Sequence, residues 1–187
     1  MPFMSPSSVD VSALRWVRTA TGASEYELRA VDVPLARISW ANEHDAVGTA
    51  TTADGAWTVR RDGFLLARVH LRRVGEDRDV ARLLSRREGF KVLHALKLAG
   101  GPSYALARAG RTVPAWSIQY PSGAELAHIE PIRDGSRLEG GLCEFEGPIV
   151  SDPSLLRIAL LSWYFIALAW FEDEVTVEWI DHGEAKF

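Results

Sequence analysis

The residues best suited to chemistry in this chain form a basic stripe in the segment AWTVRRDGFLLARVHLRR. Arg68, His70 and Arg72 alternate there with apolar residues, so a strand would present all three on one face. Arg60 lies on the preceding run, which an Asp-Gly turn would pair with theirs. Because cross-strand neighbours lie about 5 Å apart, such side chains can share one phosphate group. The pattern predicts an anion site at these four residues; a solvated strand face paired with acidic residues is the alternative.

Charge is unevenly distributed along the chain, whose formal net charge is -4. Between residues 60 and 91, ten basic residues accompany five acidic ones; from residue 121 onward, thirteen acidic residues accompany four basic ones. This asymmetry is consistent either with an anion-binding face or with two faces that pair with each other. Because the net charge is negative and the sequence shows no continuous basic face, we predict no nucleic-acid binding.

The remaining chemically able residues give no catalytic pattern. Glu172, Asp173 and Glu174 follow an apolar segment and suit a calcium ion by ligand type, but consecutive helical residues fan outward, which favours solvation or arginine partners. The five histidines lack metal-ligand spacing, and Cys143 lies in a strand-like run where it is expected to be a small buried hydrophobe. We therefore predict no metal, no cofactor and no enzymatic activity.

Strands are needed to position the basic stripe, and the sequence is rich in strand patterns. In EYELRAV, Tyr26, Leu28 and Ala30 share one face, and similar alternation recurs between Gly-containing turns, which indicates an antiparallel barrel or sandwich. The segment KVLHALKLA is ambiguous, with strand favoured over helix. One segment breaks the rhythm: in DRDVARLLSRREGF, Val80, Leu83 and Leu84 stand at helical spacing, which predicts a short surface helix over residues 77–90.

The most apolar segment, SLLRIALLSWYFIALAW, has the features of a buried helix. Asp152 suits the N-cap position and Pro153 the first helical position. Fourteen uncharged residues from Ile158 to Phe171 span about 21 Å of helix, less than the roughly 30 Å of a bilayer core. Since its apolar residues point in every direction, this helix must be enclosed by protein or by lipid. Enclosure within a barrel is favoured over a membrane anchor.

These features predict one domain. Residues 1–24 are expected to form a flexible leader without signal-peptide character, and residues 25–187 a single β-barrel domain. The single cysteine agrees with a reducing compartment, so we predict a cytoplasmic protein, or one peripheral at the membrane. The tail VTVEWIDHGEAKF is expected to add an edge strand through Val175, Val177 and Trp179.

A meander of strands, including WTVRRDGFLLARVHLRR, followed by the apolar segment SDPSLLRIALLSWYFIALAW resembles the tubby-like superfamily, which includes LURP-one-related proteins and phospholipid scramblases. The resemblance implies a mainly β fold: a closed antiparallel barrel of about twelve strands around a buried hydrophobic C-terminal helix. It also implies a non-enzymatic module that binds phospholipid headgroups, or a protein partner, on the barrel exterior. The alternative is a membrane-associated, scramblase-like protein whose helix lies in the bilayer.

Overall fold

The computed structural model describes residues 3–11, 13–19, 24–41, 46–63, 67–88, 91–109, 115–146, 152 and 154–182, the last twelve by their backbone. The described chain is mainly β with one long helix. After a 3-10 turn at Pro6–Ser8, the elements are β1 Ala13–Arg18, β2 Ser24–Ala30, β3 Val33–Trp40, β4 Val47–Thr52, β5 Gly55–Asp62, β6 Arg68–Arg73, β7 Asp79–Glu88, β8 Lys91–Leu98, β9 Ser103–Ala109, β10 Ala115–Gln119, β11 Glu125–Asp134, β12 Arg137–Phe145 and α1 Leu155–His182.

The strands form a closed antiparallel barrel, as predicted. Each strand from β2 to β11 pairs with the strands before and after it, and β1 closes the barrel by pairing with both β2 and β12. At the closure, Trp16 lies opposite Gly141 on one side and opposite Leu28 on the other. A closed barrel leaves no strand edge among these twelve elements, so the backbone ladder is satisfied around the whole circumference.

Alternation of apolar and polar residues explains which side of each strand faces the interior. Tyr26, Leu28 and Ala30 of β2 are buried, as are Trp57 and Val59 of β5, which confirms the predicted inward faces. The ambiguous segment KVLHALKLA is a strand, β8. Large apolar side chains of this kind each contribute about 1.5–3 kcal/mol when they leave water.

Helix α1 supplies the other half of the core. Its side chains from Leu155 to Leu168 are buried except at Arg157, and aromatic residues from five strands contact it or its neighbours: Trp16, Tyr26, Trp40, His94 and Trp116. These rings come from β1, β2, β3, β8 and β10, so protein encloses the helix from several directions. Among the described residues, no helix combines the length and the hydropathy needed to cross a membrane.

The start of the helical segment is held by the predicted cap. The Asp152 carboxylate accepts a hydrogen bond from the backbone N–H of Ser154 at 2.7 Å, and the Asp152 carbonyl accepts one from Leu155. The hydrogen bonds to Ser154 lower the pKa of Asp152 below its ordinary value. A side-chain acceptor here satisfies an amide that has no partner within the helix. Pro153 lies outside the described residues.

The predicted surface helix over residues 77–90 is wrong. Residues Asp79–Glu88 form strand β7, in which Ala81 and Leu83 face the interior. The ladder between β6 and β7 shifts register at this point: Leu71 lies opposite Ala81, and Arg72 opposite Asp79, so Val80 is an extra residue. This bulge interrupts the period of two and produces the apparent helical spacing.

Two predictions about the ends of the domain are also wrong. The leader over residues 1–24 contains β1, whose Leu14 and Trp16 are fully buried where the barrel closes. The edge strand through Val175, Val177 and Trp179 is absent from the described backbone, because α1 continues to His182. The acidic residues 172–174 therefore lie within the helix rather than at its end; their side chains lie outside the described residues.

Candidate functional site

Four basic residues form a continuous row across the outer face of four neighbouring strands. Arg60 on β5 lies opposite His70 on β6, His70 lies opposite Arg82 on β7, and Arg82 lies opposite Lys97 on β8. Directly opposed residues have Cβ atoms about 5 Å apart, so adjacent members of this basic row can contact one anionic group. The strand pairing, not sequence proximity, brings the four together.

The structure places the four predicted site residues in two groups. Arg60, His70 and Arg72 line one depression of about 260 Å³ on the outer face, together with the loop residue Glu76. Arg68 lies opposite Asp62 on the same face, is exposed, and does not line this depression. Three of the four predicted residues therefore share one depression, and Arg68 lies outside it; that these residues bind an anion stays a prediction.

Acidic neighbours already engage these three basic residues. Asp79 on β7 contacts Arg72 Nε at 2.6 Å with one carboxylate oxygen and His70 Nδ1 at 2.8 Å with the other. Asp62 contacts Arg60 Nε at 2.9 Å and lies 3.6 Å from His70 Nε2. An incoming anion must compete with these carboxylates, so this half of the basic row is largely neutralised by the protein itself.

The titration behaviour of Asp79 reflects this arrangement. Partial burial alone raises the pKa of Asp79, but the hydrogen bonds from Arg72 and His70 and their positive charges outweigh burial and hold the pKa below its ordinary value. The same hydrogen bond to Asp79 raises the pKa of Arg72. Asp79 therefore stays ionised in the folded protein at neutral pH and keeps its two partners engaged.

The other half of the basic row has no such partners. Arg82 and Lys97 are exposed, and neither forms an ion pair with any residue that the structure describes. Both line a larger groove of about 680 Å³. Sequence reasoning missed them because a helix over residues 77–90 would have turned Arg82 away from the neighbouring strands. The available signal was Arg82 standing between inward-facing Ala81 and Leu83.

This groove combines strand and loop residues at one end of the barrel. Its lining includes Asp77 and Arg78 from the β6–β7 loop, Lys97 at the end of β8, and Ser103 at the start of β9. Ser103 lies directly opposite Lys97, so Arg82, Lys97 and Ser103 place three hydrogen-bond donors on three adjacent strands. The turn between β8 and β9 contains Gly100, whose φ of +70° a glycine adopts without strain.

A serine–histidine pair lies on a different part of the barrel. Ser85 Oγ is 2.8 Å from His94 Nδ1, and the His94 ring lies 4.6 Å from the ring of Phe165. Burial lowers the pKa of His94, so the neutral ring is favoured. No described carboxylate contacts His94, and the pair therefore lacks the orienting acid of a catalytic triad within the part of the chain that is described.

The remaining reactive groups are buried or too scattered for a site. Cys143 is fully buried, and burial raises the pKa of its thiol. A thiol in that environment stays protonated and unreactive. In the described ranges, no three His, Cys, Asp or Glu residues lie close enough to hold a metal ion.

No protein-family model matches this chain, and neither a curated protein nor a solved structure does. Membership of the tubby-like superfamily therefore stays a prediction.

Proposed function

We propose that this protein is a non-enzymatic binding module that recognises the phosphate of phospholipid headgroups at a membrane surface. The observation that carries the proposal is the row Arg60, His70, Arg82 and Lys97, which crosses four adjacent strands on the barrel exterior. Its β7–β8 half presents two exposed cations that form no ion pair with a described residue. Basic side chains near an anionic leaflet each contribute about 1 kcal/mol to binding.

The barrel interior favours recognition at the outer surface. Fully buried side chains of α1, among them Leu160, Leu161 and Trp163, occupy the space in which a carrier barrel would hold its ligand. The same enclosure favours a surface role over the alternative in which α1 lies in the bilayer. A closed barrel around a buried helix is also what the resemblance to the tubby-like superfamily implies.

The test measures cosedimentation with phosphatidylcholine vesicles that contain a fixed share of phosphatidylglycerol. We expect the Arg82→Gln, Lys97→Gln double variant to bind about 30-fold more weakly, because two contacts of about 1 kcal/mol each are lost. The control is Arg15→Gln, Arg133→Gln, which removes the same charge from exposed positions on β1 and β11. Equal loss in both variants would reduce the effect to net charge and overturn the proposal.

Two further measurements distinguish a lipid phosphate from a soluble phosphate, and a lipid from a protein partner. Glycerol 3-phosphate in solution should displace the protein from vesicles only weakly, because a vesicle presents many headgroups at once. Strong displacement would assign the site to a soluble phosphate instead of a membrane. Absence of wild-type cosedimentation would remove the lipid proposal and leave the basic row to a protein partner.

A further inference from the structure

The groove beside Arg82 and Lys97 presents charges of both signs to a ligand. Arg78, Arg82 and Lys97 supply positive charge along its lining, while Asp77 and Asp79 supply negative charge. A site that binds only a phosphate has no use for carboxylates, since they oppose the charge of the ligand. The composition of the lining therefore calls for a ligand that carries both charges.

The two carboxylates of the groove differ in what already occupies them. Asp79 uses both oxygens, one on His70 and the other on Arg72, and is therefore committed to the protein. Asp77 is exposed and forms no ion pair with a described residue. Its charge acts on Arg72 only at longer range. Asp77 is thus the acid that a cationic group of a ligand would meet.

Acidic and basic residues line the same groove, which a small zwitterion could occupy. Arg82, Lys97 and Ser103 lie side by side on β7, β8 and β9, while Asp77 and Arg78 precede β7 and line the same groove. From Asp77 to Arg82 the chain covers five residues, so their Cα atoms lie at most about 17 Å apart. If the strand residues bind the phosphate of a headgroup, an ammonium group on the same headgroup lies in the groove that Asp77 also lines.

We propose that this groove selects phospholipid headgroups that carry an ammonium group beside the phosphate, with phosphatidylserine the best match among them. The inference rests on the proposed function and names the headgroup class. Serine headgroups carry two negative charges and one positive charge, which complements the three bases and the one uncommitted acid, Asp77, of the lining. Arg82, Lys97 and Ser103 bind the phosphate, Asp77 binds the ammonium group, and Arg78 is the remaining cation for the headgroup carboxylate.

The experiment compares phosphatidylcholine vesicles that contain equal shares of phosphatidylserine or phosphatidylglycerol. These lipids have the same net charge, so a preference between them reports the charged groups of serine and not surface potential, and the Asp77 variant assigns the part due to the ammonium group. We expect the wild-type protein to bind phosphatidylserine vesicles about threefold to fivefold more tightly, as one charge-assisted contact at an exposed site allows. Asp77→Asn should remove the preference, and its binding to each vesicle is compared with that of a charge-matched Asp→Asn control, because the variant also removes one negative charge.

Asp32→Asn is the matched control, because Asp32 is also exposed and lies in the turn between β2 and β3. This variant should keep the preference. If the wild-type protein binds both vesicles equally, and the Arg82→Gln, Lys97→Gln variant loses this binding, the ammonium inference is overturned and the proposed function stands. A preference that survives in Asp77→Asn would likewise overturn it. No wild-type binding to either vesicle would instead remove the proposed function itself.

Glycerophosphoserine and glycerophosphoglycerol provide a second readout, in which the two headgroups compete from solution. As soluble competitors at equal concentration, the first should displace the wild-type protein from phosphatidylserine vesicles more effectively than the second. The difference should vanish in Asp77→Asn. Equal displacement of the wild-type protein by both compounds would contradict headgroup recognition through Asp77.

Discussion

The indole ring of Trp163 on α1 stacks on that of Trp16 on β1, with ring centroids 5.4 Å apart and planes within 10° of parallel. Both side chains are fully buried. The Tyr26 ring meets Trp163 edge-on at 5.3 Å, so β1, β2 and the helix share one aromatic cluster. This stacking joins the strand that closes the barrel to the helix that fills it.

We expect Trp163→Ala to lower the free energy of unfolding by about 3–5 kcal/mol, because it leaves a large cavity beside Trp16 and Tyr26. Urea denaturation measures the change. Trp170→Ala is the control: Trp170 is only half-buried, although its indole N–H donates to the Ser136 carbonyl at 2.9 Å. A loss for Trp170→Ala as large as that for Trp163→Ala would contradict the central role of the stacked pair.

Gly141 on β12 makes room for the same ring. A Cβ atom at this position would lie 2.6 Å from Trp163, closer than real Cβ contacts allow. We expect Gly141→Ala to destabilise the protein by about 1–3 kcal/mol through overpacking. In a Trp163→Phe background the smaller ring should relieve the clash, so the two substitutions should couple favourably by more than about 0.5 kcal/mol. Additive effects in urea denaturation would count against this explanation.

Asp79 limits the charge that the β5–β6 surface offers to a ligand. Asp79→Asn removes the carboxylate that holds His70 and Arg72. We expect this variant to cosediment more strongly with phosphatidylglycerol vesicles than the wild type does, by about fivefold for one added net positive charge. Asp134→Asn, at the end of β11, is the charge-matched control. If Asp79→Asn binds no better than this control, Asp79 does not restrain the site.

His94 should make stability depend on pH in the mildly acidic range. Burial lowers its pKa in the folded state, so the unfolded chain takes up this proton first as the pH falls below about 6.5. Stability is therefore expected to decrease from about pH 7.5 to about pH 5.5, and His94→Gln should decrease less. Urea midpoints at the two pH values measure this, with the half-buried His128 replaced by Gln as control. An identical pH dependence in wild type and His94→Gln would refute the assignment.

Asp152 should contribute to stability through the helix cap. We expect Asp152→Ala to cost about 1 kcal/mol, because the Ser154 amide loses its acceptor. Since the folded-state pKa is lowered, this contribution is present above about pH 3.9 and is lost as the pH falls through the folded value. Thermal unfolding at neutral pH and at about pH 3 tests both statements. A cost that persists unchanged in acid would point away from the carboxylate.

Much of this fold follows from local pattern. The alternation in β2, β5 and β6 predicts strands that each turn one face inward, as the strands of a barrel do. The apolar character of α1 on all sides predicts that this helix is buried inside the barrel. The alternating pattern mispredicts secondary structure where contacts with distant strands decide the local structure. Val80 is an extra residue at a bulge and mimics helical spacing. Leu14 and Trp16 give a short pattern whose importance depends on β12, far along the chain.

The candidate site was half predictable for the same reason. Arg60 and His70 are brought together by the β5–β6 hairpin, which the Asp-Gly turn in the sequence predicts. Arg82 and Lys97 join them only if β7 and β8 are strands in this register, and the register depends on the bulge at Val80. Ion pairs such as Asp79 with Arg72 depend on side-chain positions across strands, which a sequence pattern does not specify.

The closed barrel also constrains how the protein is made. All twelve strands leave the ribosome before α1, because β12 ends at Phe145 and α1 begins at Leu155. A nascent chain that stops short of α1 has inward-facing tryptophans and leucines with nothing to pack against. Such a chain exposes apolar surface to chaperones and to aggregation until the helix is synthesised. The core of this barrel can therefore be completed only after α1, which follows all twelve strands in the chain, has been synthesised.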